Sequence, residues 1–175
     1  MFRDSSPYSG MTDDNSTRYL HEMTLLLREQ FPYSSIYPVL GDMDFNPHGQ
    51  AQPKADPMYK VAADLWGTWL PPKAIDSLKH GKSRVFFRCT ISHVSYSSGG
   101  YYKIDLAGRK VQLVALNTAL YLDTNDRTRH SYHHDPGNQW HWLENILEKA
   151  RLKHQTVSAA DLYLPWDPDQ CFVCR

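Results

Sequence analysis

The sequence predicts an α/β fold, and three observations carry that prediction. Apolar residues recur at helical spacing near 16–31, 58–69 and 137–153. Short β-branched and aromatic runs stand between them, at 36–40, 101–106 and 110–116. Strand and helix alternate, which favours parallel pairing through a crossover. The expected arrangement sets strands near 35–40 and 111–116 side by side in one sheet. The helices near 16–31 and 137–153 then pack on it, because each has an apolar stripe that needs a partner. A chain of 175 residues has the size of one domain and buries a real core.

Residues 1–14 are polar and turn-rich. Asn15 or Ser16 can cap the first turn of a helix. Leu20, Met23, Leu27 and Phe31 then fall on one face, and Pro32 closes the helix. The run Ile36-Tyr37-Pro38-Val39-Leu40 reads as a buried strand ending at Gly41. Two carboxylates follow, Asp42 and Asp44. Chemistry in open α/β sheets sits just past the carboxyl ends of strands. A Gly-Asp-x-Asp at that point places hard oxygen ligands where a site belongs. Turn and cap chemistry is the competing reading, since Asp and Asn favour turns for local reasons.

Residues 46–57 hold Pro47, Pro53 and Pro57 and read as a loop. The second helix carries Val61, Leu65, Trp66 and Trp69 as its stripe until Pro71-Pro72 breaks it. Core packing accounts for the two tryptophans. An aromatic binding surface of Trp66, Trp69 and Trp140 has no motif behind it. A short helix through Ile75 and Leu78 ends at Gly81. The aromatic, β-branched segment 82–98 reads as an edge strand or a loop, and it is expected to be the least ordered internal stretch. Ala107-Gly108-Arg109 turns a hairpin between the next two strands. The polar loop 123–134 contains His130, His133 and His134, either a solvated cluster or a local chelate. Asp135-Pro136 starts the last helix, with Trp140, Leu143, Ile146, Leu147 and Ala150 as its stripe. Lys149, Arg151 and Lys153 suit its carboxyl end. The tail from Val157 shows no clear period.

Composition narrows the function classes. Nineteen basic and nineteen acidic side chains cancel, so no polyanion-binding surface and no nucleic-acid partner are expected. No apolar run approaches the roughly 20 residues of a membrane-spanning helix. Met1-Phe2-Arg3-Asp4-Ser5-Ser6 has no apolar core, so no signal peptide is expected. Cys171 and Cys174 form a C-x-x-C in a Pro-containing tail, a poor setting for a redox pair. Asn15-Ser16-Thr17 is a glycosylation sequon.

The block Leu40-Gly41-Asp42-Met43-Asp44-Phe45-Asn46-Pro47-His48-Gly49-Gln50 resembles the Gly-Asn-His-Asp/Glu block of calcineurin-like metallophosphoesterases. The nearest branch is the acid sphingomyelinase-like phosphodiesterases. Ala62-Ala63-Asp64-Leu65-Trp66-Gly67-Thr68-Trp69-Leu70, Gly99-Gly100-Tyr101-Tyr102, Leu116-Asn117-Thr118-Ala119-Leu120-Tyr121 and Asp135-Pro136-Gly137-Asn138-Gln139-Trp140-His141-Trp142-Leu143-Glu144 resemble that branch in the same order. The resemblance covers residues 3–81 and 99–157, leaving 82–98 as an unmatched insertion and 158–175 as a divergent tail. It implies an incomplete metallophosphoesterase α/β sandwich with helices packed on a mixed sheet.

It also implies a metal-dependent phosphodiesterase acting on a phosphoester of a lipid head group or a nucleotide, outside the cell or in the lysosome. That site uses two Zn²⁺ ions about 3.5–4 Å apart. Arg3-Asp4-Ser5-Ser6-Pro7-Tyr8 resembles the family's Gly-Asp-Ser-Pro-Pro-His, which sets Asp4 at the bridging carboxylate. Asp42 stands at the metal-ligating Asn. Met43 stands where the family has the histidine that protonates the leaving group, and a thioether has no proton to give. The Asp-x-His block would precede Met1, and no histidine follows His154 to match the later blocks. Asp4 and Asp42 are thus the matched metal ligands. The alternative is a truncated or pseudoenzyme form, keeping part of the fold with little or no activity.

Overall fold

The computed structural model describes residues 13–80, 99–106, 110–130 and 135–161. The segment 82–98 lies outside them, as do Asp4, His133, His134, Cys171 and Cys174. The helices are α1 (Asp13–Gln30), α2 (Pro57–Trp66), α3 (Pro72–His80) and α4 (Gln139–Leu152). The strands are β1 (Tyr102–Leu106), β2 (Val111–Ala115) and β3 (Thr156–Ala160). The α/β class with a mixed sheet is borne out.

Local chemistry sets the helix starts. The Asp56 carboxylate accepts from the Met58 N–H at 3.0 Å, and Pro57 needs no hydrogen bond at the first helical position. The Asp135 carboxylate accepts from the Trp140 and His141 N–H groups at 3.0 and 3.1 Å. Between Asp135 and α4 runs a 3₁₀ turn, Pro136–Asn138, with Gly137 at φ 82° and Asn138 at φ 58°. That left-handed pair keeps the turn from continuing straight into α4.

The sheet order is β1-β2-β3. β1 runs antiparallel to β2, with Tyr102 opposite Ala115, and β3 runs parallel to β2, with Val111 opposite Thr156. α4 lies in the β2-to-β3 crossover. Alternation along the strands divides the core in two. Tyr102, Ile104 and Ala115 pack with Met58, Ala62, Trp66 and Leu78 from α2 and α3. Tyr101, Val114, Leu116 and Val157 pack with Trp142, Ile146 and Ala150 from α4. Each fully buried large apolar side chain contributes about 2–3 kcal/mol.

Four expectations need correction. Residues 34–41 form no strand, so nothing from that stretch neighbours 111–115. Pro38 lacks an N–H for a ladder, and its carbonyl instead accepts from the Tyr102 hydroxyl at 2.6 Å. The place beside β2 belongs to β3, a strand formed where the sequence shows no period. α1 packs against α2 and the turn at Asp42–Asp44. Its buried side carries Ser16 and Thr24, while Met23 is 56% exposed and Phe31 also faces out. The Thr24 hydroxyl donates to the Leu20 carbonyl at 2.7 Å, which makes its burial tolerable. α4 buries Gln139, Trp142, Ile146 and Ala150, and leaves Trp140 and Leu147 exposed.

Candidate functional site

The loop from Gly41 to Gly49 is held by its own backbone. The Gly41 N–H donates to Asp44 Oδ2 at 2.8 Å, and the Asp44 N–H donates to the Gly41 carbonyl at 3.3 Å. The Asp42 carbonyl accepts from Phe45 N–H at 3.4 Å and from Gly49 N–H at 2.9 Å, which closes the loop on itself. Gly49 has φ 71°, a conformation that glycine adopts without steric cost. Phe45 is buried edge-on against the Tyr59 ring, 6.0 Å between centroids, and anchors the loop to α2.

The two carboxylates play different parts. Asp44 turns inward to Gly41. Burial pushes its carboxyl above the ordinary range, the Gly41 N–H works against that, and the Asp42 charge adds to it. Asp42 is half-buried on the same turn and is the residue left as a ligand candidate. Met43 is 36% exposed, with its sulfur 3.2 Å from His48 Nδ1. The loop follows the Tyr102-to-Pro38 hydrogen bond, and Tyr102 lies opposite Ala115. Asp42 therefore follows a segment tied to the carboxyl end of β2, although that segment is not a strand.

A second structure at this end was not foreseen. Asn117, fully buried just past β2, donates its N–H to Gln139 Oε1 at 2.7 Å. Its Nδ2 donates to the Gly99 carbonyl at 2.7 Å and the Tyr59 hydroxyl at 3.2 Å. Tyr59 in turn donates to the Gln52 carbonyl at 2.5 Å. A Cβ on Gly100, which has φ 69°, would meet the Tyr59 ring at 2.4 Å. Thr118 Oγ1 donates to Asp161 Oδ1 at 2.6 Å, joining the ends of β2 and β3. Burial pushes the Tyr59 phenol well above its ordinary value, with the Asp56 charge adding to the effect. The sequence signal is an isolated Asn-Thr after a strand and a Gln at a helix start. Neither is distinctive until its partners are known.

Among the described residues, no group of three or more His, Cys, Asp or Glu side chains could hold a metal ion. The described residues contribute Asp42 to the expected ligand pair, and Asp4 lies outside them. They do not by themselves form a zinc site. His130 is exposed, and its Nε2 accepts from Arg129 Nε at 3.0 Å. Trp66 is core, and Trp69 packs against that core beneath the Arg28 guanidinium, 5.6 Å from its ring. The Trp140 ring lies tilted against Tyr121, with planes at 43° and centroids 4.9 Å apart. Among the described residues, no helix is long and apolar enough to cross a membrane.

No protein-family model matches the chain. Individual proteins do. The cyclic GMP-AMP phosphodiesterase SMPDL3A of Mus musculus is 29% identical over 152 residues, 86% of this chain and 30% of that protein. The acid sphingomyelinase-like phosphodiesterase 3b of Homo sapiens is 35% identical over 131 residues, 75% of this chain and 25% of that protein. The sphingomyelinase phosphodiesterase C of Dictyostelium discoideum is 27% identical over 157 residues, 88% of this chain and 30% of that protein. The chain spans about a quarter to a third of the length of the curated relatives it matches. By sequence, the chain is similar to acid sphingomyelinase-like phosphodiesterases over most of its own length.

Proposed function

We propose that the chain forms part of a metal-dependent phosphodiesterase of the acid sphingomyelinase-like type, acting on a phosphoester of a lipid head group or a nucleotide. The observation that carries this reading is its similarity, over most of its length, to proteins named as phosphodiesterases. Asp42 and Asp4 are the ligands proposed for Zn²⁺, as hard oxygen donors. A glycan on Asn15 and an extracellular or lysosomal location belong to the same proposal and rest on the same likeness.

A second reading, a form with part of the fold and little or no activity, is favoured by Met43. Its thioether has no proton for a departing alkoxide. General-acid help is worth about 10²–10⁴ in rate.

Hydrolysis of bis-(p-nitrophenyl) phosphate with added Zn²⁺ and a chelator control tests both. Chelator-sensitive turnover that Asp42→Ala abolishes supports the enzyme. A folded chain without turnover supports the second reading. Turnover that is unchanged in Asp42→Ala removes Asp42 from the site. The double change Asp42→Asn, Met43→His rebuilds one block only and is expected to recover little.

A further inference from the structure

We propose that Lys54 and Arg127 form an oxyanion subsite that takes a phosphate group, beside the Asp42 loop. An open hollow of about 370 Å³ lies between Gln52, Pro53, Lys54 and Arg127. Among the described residues, neither the Lys54 ammonium nor the Arg127 guanidinium has an ion-pair or hydrogen-bond partner. The nearby carboxylates pair with neither cation. Asp126 pairs with Arg129 at 2.8 Å, and Asp56 accepts from the Gln52 and Met58 N–H groups. The two cations of the hollow thus have no direct partner among the described residues, with the Asp56 and Asp126 carboxylates as the acidic groups beside them in sequence.

The hollow is held from both sides by cross-ties. Gln50 Nε2 donates to the Thr124 carbonyl at 2.7 Å, and Asp126 N–H donates to Gln50 Oε1 at 3.0 Å. Asn125 Nδ2 donates to the Ala51 carbonyl at 3.0 Å, and Arg127 N–H donates to Asn125 Oδ1 at 3.0 Å. These bonds fix segment 50–54 against segment 124–127 before any ligand arrives, which lowers the ordering cost of binding. Gln50 directly follows Gly49, whose N–H is bonded to Asp42. The subsite is therefore joined to the candidate loop by adjacent residues. A guanidinium presents a planar fork to phosphate oxygens and an ammonium adds a point charge, so the pair suits a phosphate monoester or diester.

The identification of the oxyanion as a substrate phosphate rests on the proposed function. The test is therefore run without metal, under chelator, so that binding is read apart from hydrolysis. The purified chain is titrated calorimetrically at low salt with 5′-AMP and, separately, with phosphocholine. Saturable binding is expected for at least one, and the tighter ligand assigns the source as nucleotide or head group. Lys54→Gln and Arg127→Gln each weaken it about tenfold, the worth of one charge-assisted hydrogen bond. Lys54→Arg restores binding, Lys60→Gln leaves it unchanged, and added salt weakens it. No saturable binding by either ligand, or binding that survives the Lys54→Gln, Arg127→Gln double variant, overturns the subsite. Binding that behaves as expected in a chain without hydrolysis keeps the subsite and removes the activity.

Discussion

The loop at Gly41–Gly49 and the polar knot around Asn117 are both tied to the carboxyl end of β2, yet they are held by opposite means. The loop is closed by hydrogen bonds between residues three to seven apart, nearly all of them through main-chain atoms. Two of its side chains, Asp42 and Met43, are half-buried and exposed. The knot is closed by side chains of Asn117, Gln139 and Tyr59, whose partners lie 18, 22 and 58 residues away from Asn117. Every member is buried. A backbone-held loop can change its side chains without losing its shape. A side-chain knot cannot, because each lost partner strands a buried polar group. The comparison assigns stability to the knot and leaves the loop as the place for the proposed chemistry.

The largest expected effect that breaks or confirms this division is alkaline unfolding. Burial pushes the Tyr59 and Tyr102 phenols above their ordinary value of 10.0, and Tyr121 moves the same way through burial and its hydrogen bond to Asp135. A raised folded value means that the unfolded chain releases the proton first. Stability from these groups is intact below pH 10 and falls as pH rises above it. Each well-buried phenol steepens that fall by at most about 1.4 kcal/mol per pH unit. Tyr59→Phe is expected to flatten the slope of stability between pH 10 and 11.5, measured by denaturant titration at each pH. An unchanged slope removes Tyr59 from the knot.

Asn117→Ala comes next. It strands the Gly99 carbonyl and removes a donor to Tyr59, at about 3 kcal/mol and ~10 °C in Tm. Asp135→Ala is smaller. It takes the acceptor from two N–H groups at the start of α4 and from the Tyr121 hydroxyl at 2.7 Å, for about 1–2 kcal/mol. A loss of stability on Asp135→Ala larger than on Asn117→Ala would reverse the ranking of cap and knot.

Much of the fold was legible because its signals are local. Asp135-Pro136 marks a helix start, and the Asp135 carboxylate does accept from the Trp140 and His141 N–H groups, but α4 itself begins at Gln139, past the left-handed Gly137-Asn138 pair. Asp56-Pro57, which starts α2, reads in the sequence as the end of a loop. The paired strands at 102–106 and 111–115 follow from β-branched alternation. What was not legible depends on distant partners. Pro38 sits in an apolar run, and only the Tyr102 hydroxyl shows that its carbonyl serves a side chain and not a ladder. Thr156–Ala160 has small residues that look periodless, yet the free edge of β2 gives them a strand to pair with. Apolar residues lie on several sides of α1, so spacing alone does not say which face α2 covers. Of the candidate site, Asp42 is named by the resemblance and by a Gly-Asp pattern. The inward turn of Asp44 is not, because it depends on the Gly41 N–H and the burial beneath it. Lys54 and Arg127 stand 73 residues apart and share a hollow only through the Gln50 and Asn125 cross-ties.

The most direct test of the division is thermal unfolding of Asp42→Ala with and without Zn²⁺, beside the parent chain and Asn117→Ala. The account predicts that Asp42→Ala without metal melts within about 2 °C of the parent, as exposed and half-exposed substitutions do. It predicts a small Zn²⁺-dependent rise in Tm for the parent, through binding to the folded state. That rise is lost in Asp42→Ala and kept in Asn117→Ala, whose melting starts about 10 °C lower. A metal-free Asp42→Ala that melts as low as Asn117→Ala, or one that keeps the parent's full Zn²⁺ response, would contradict the account.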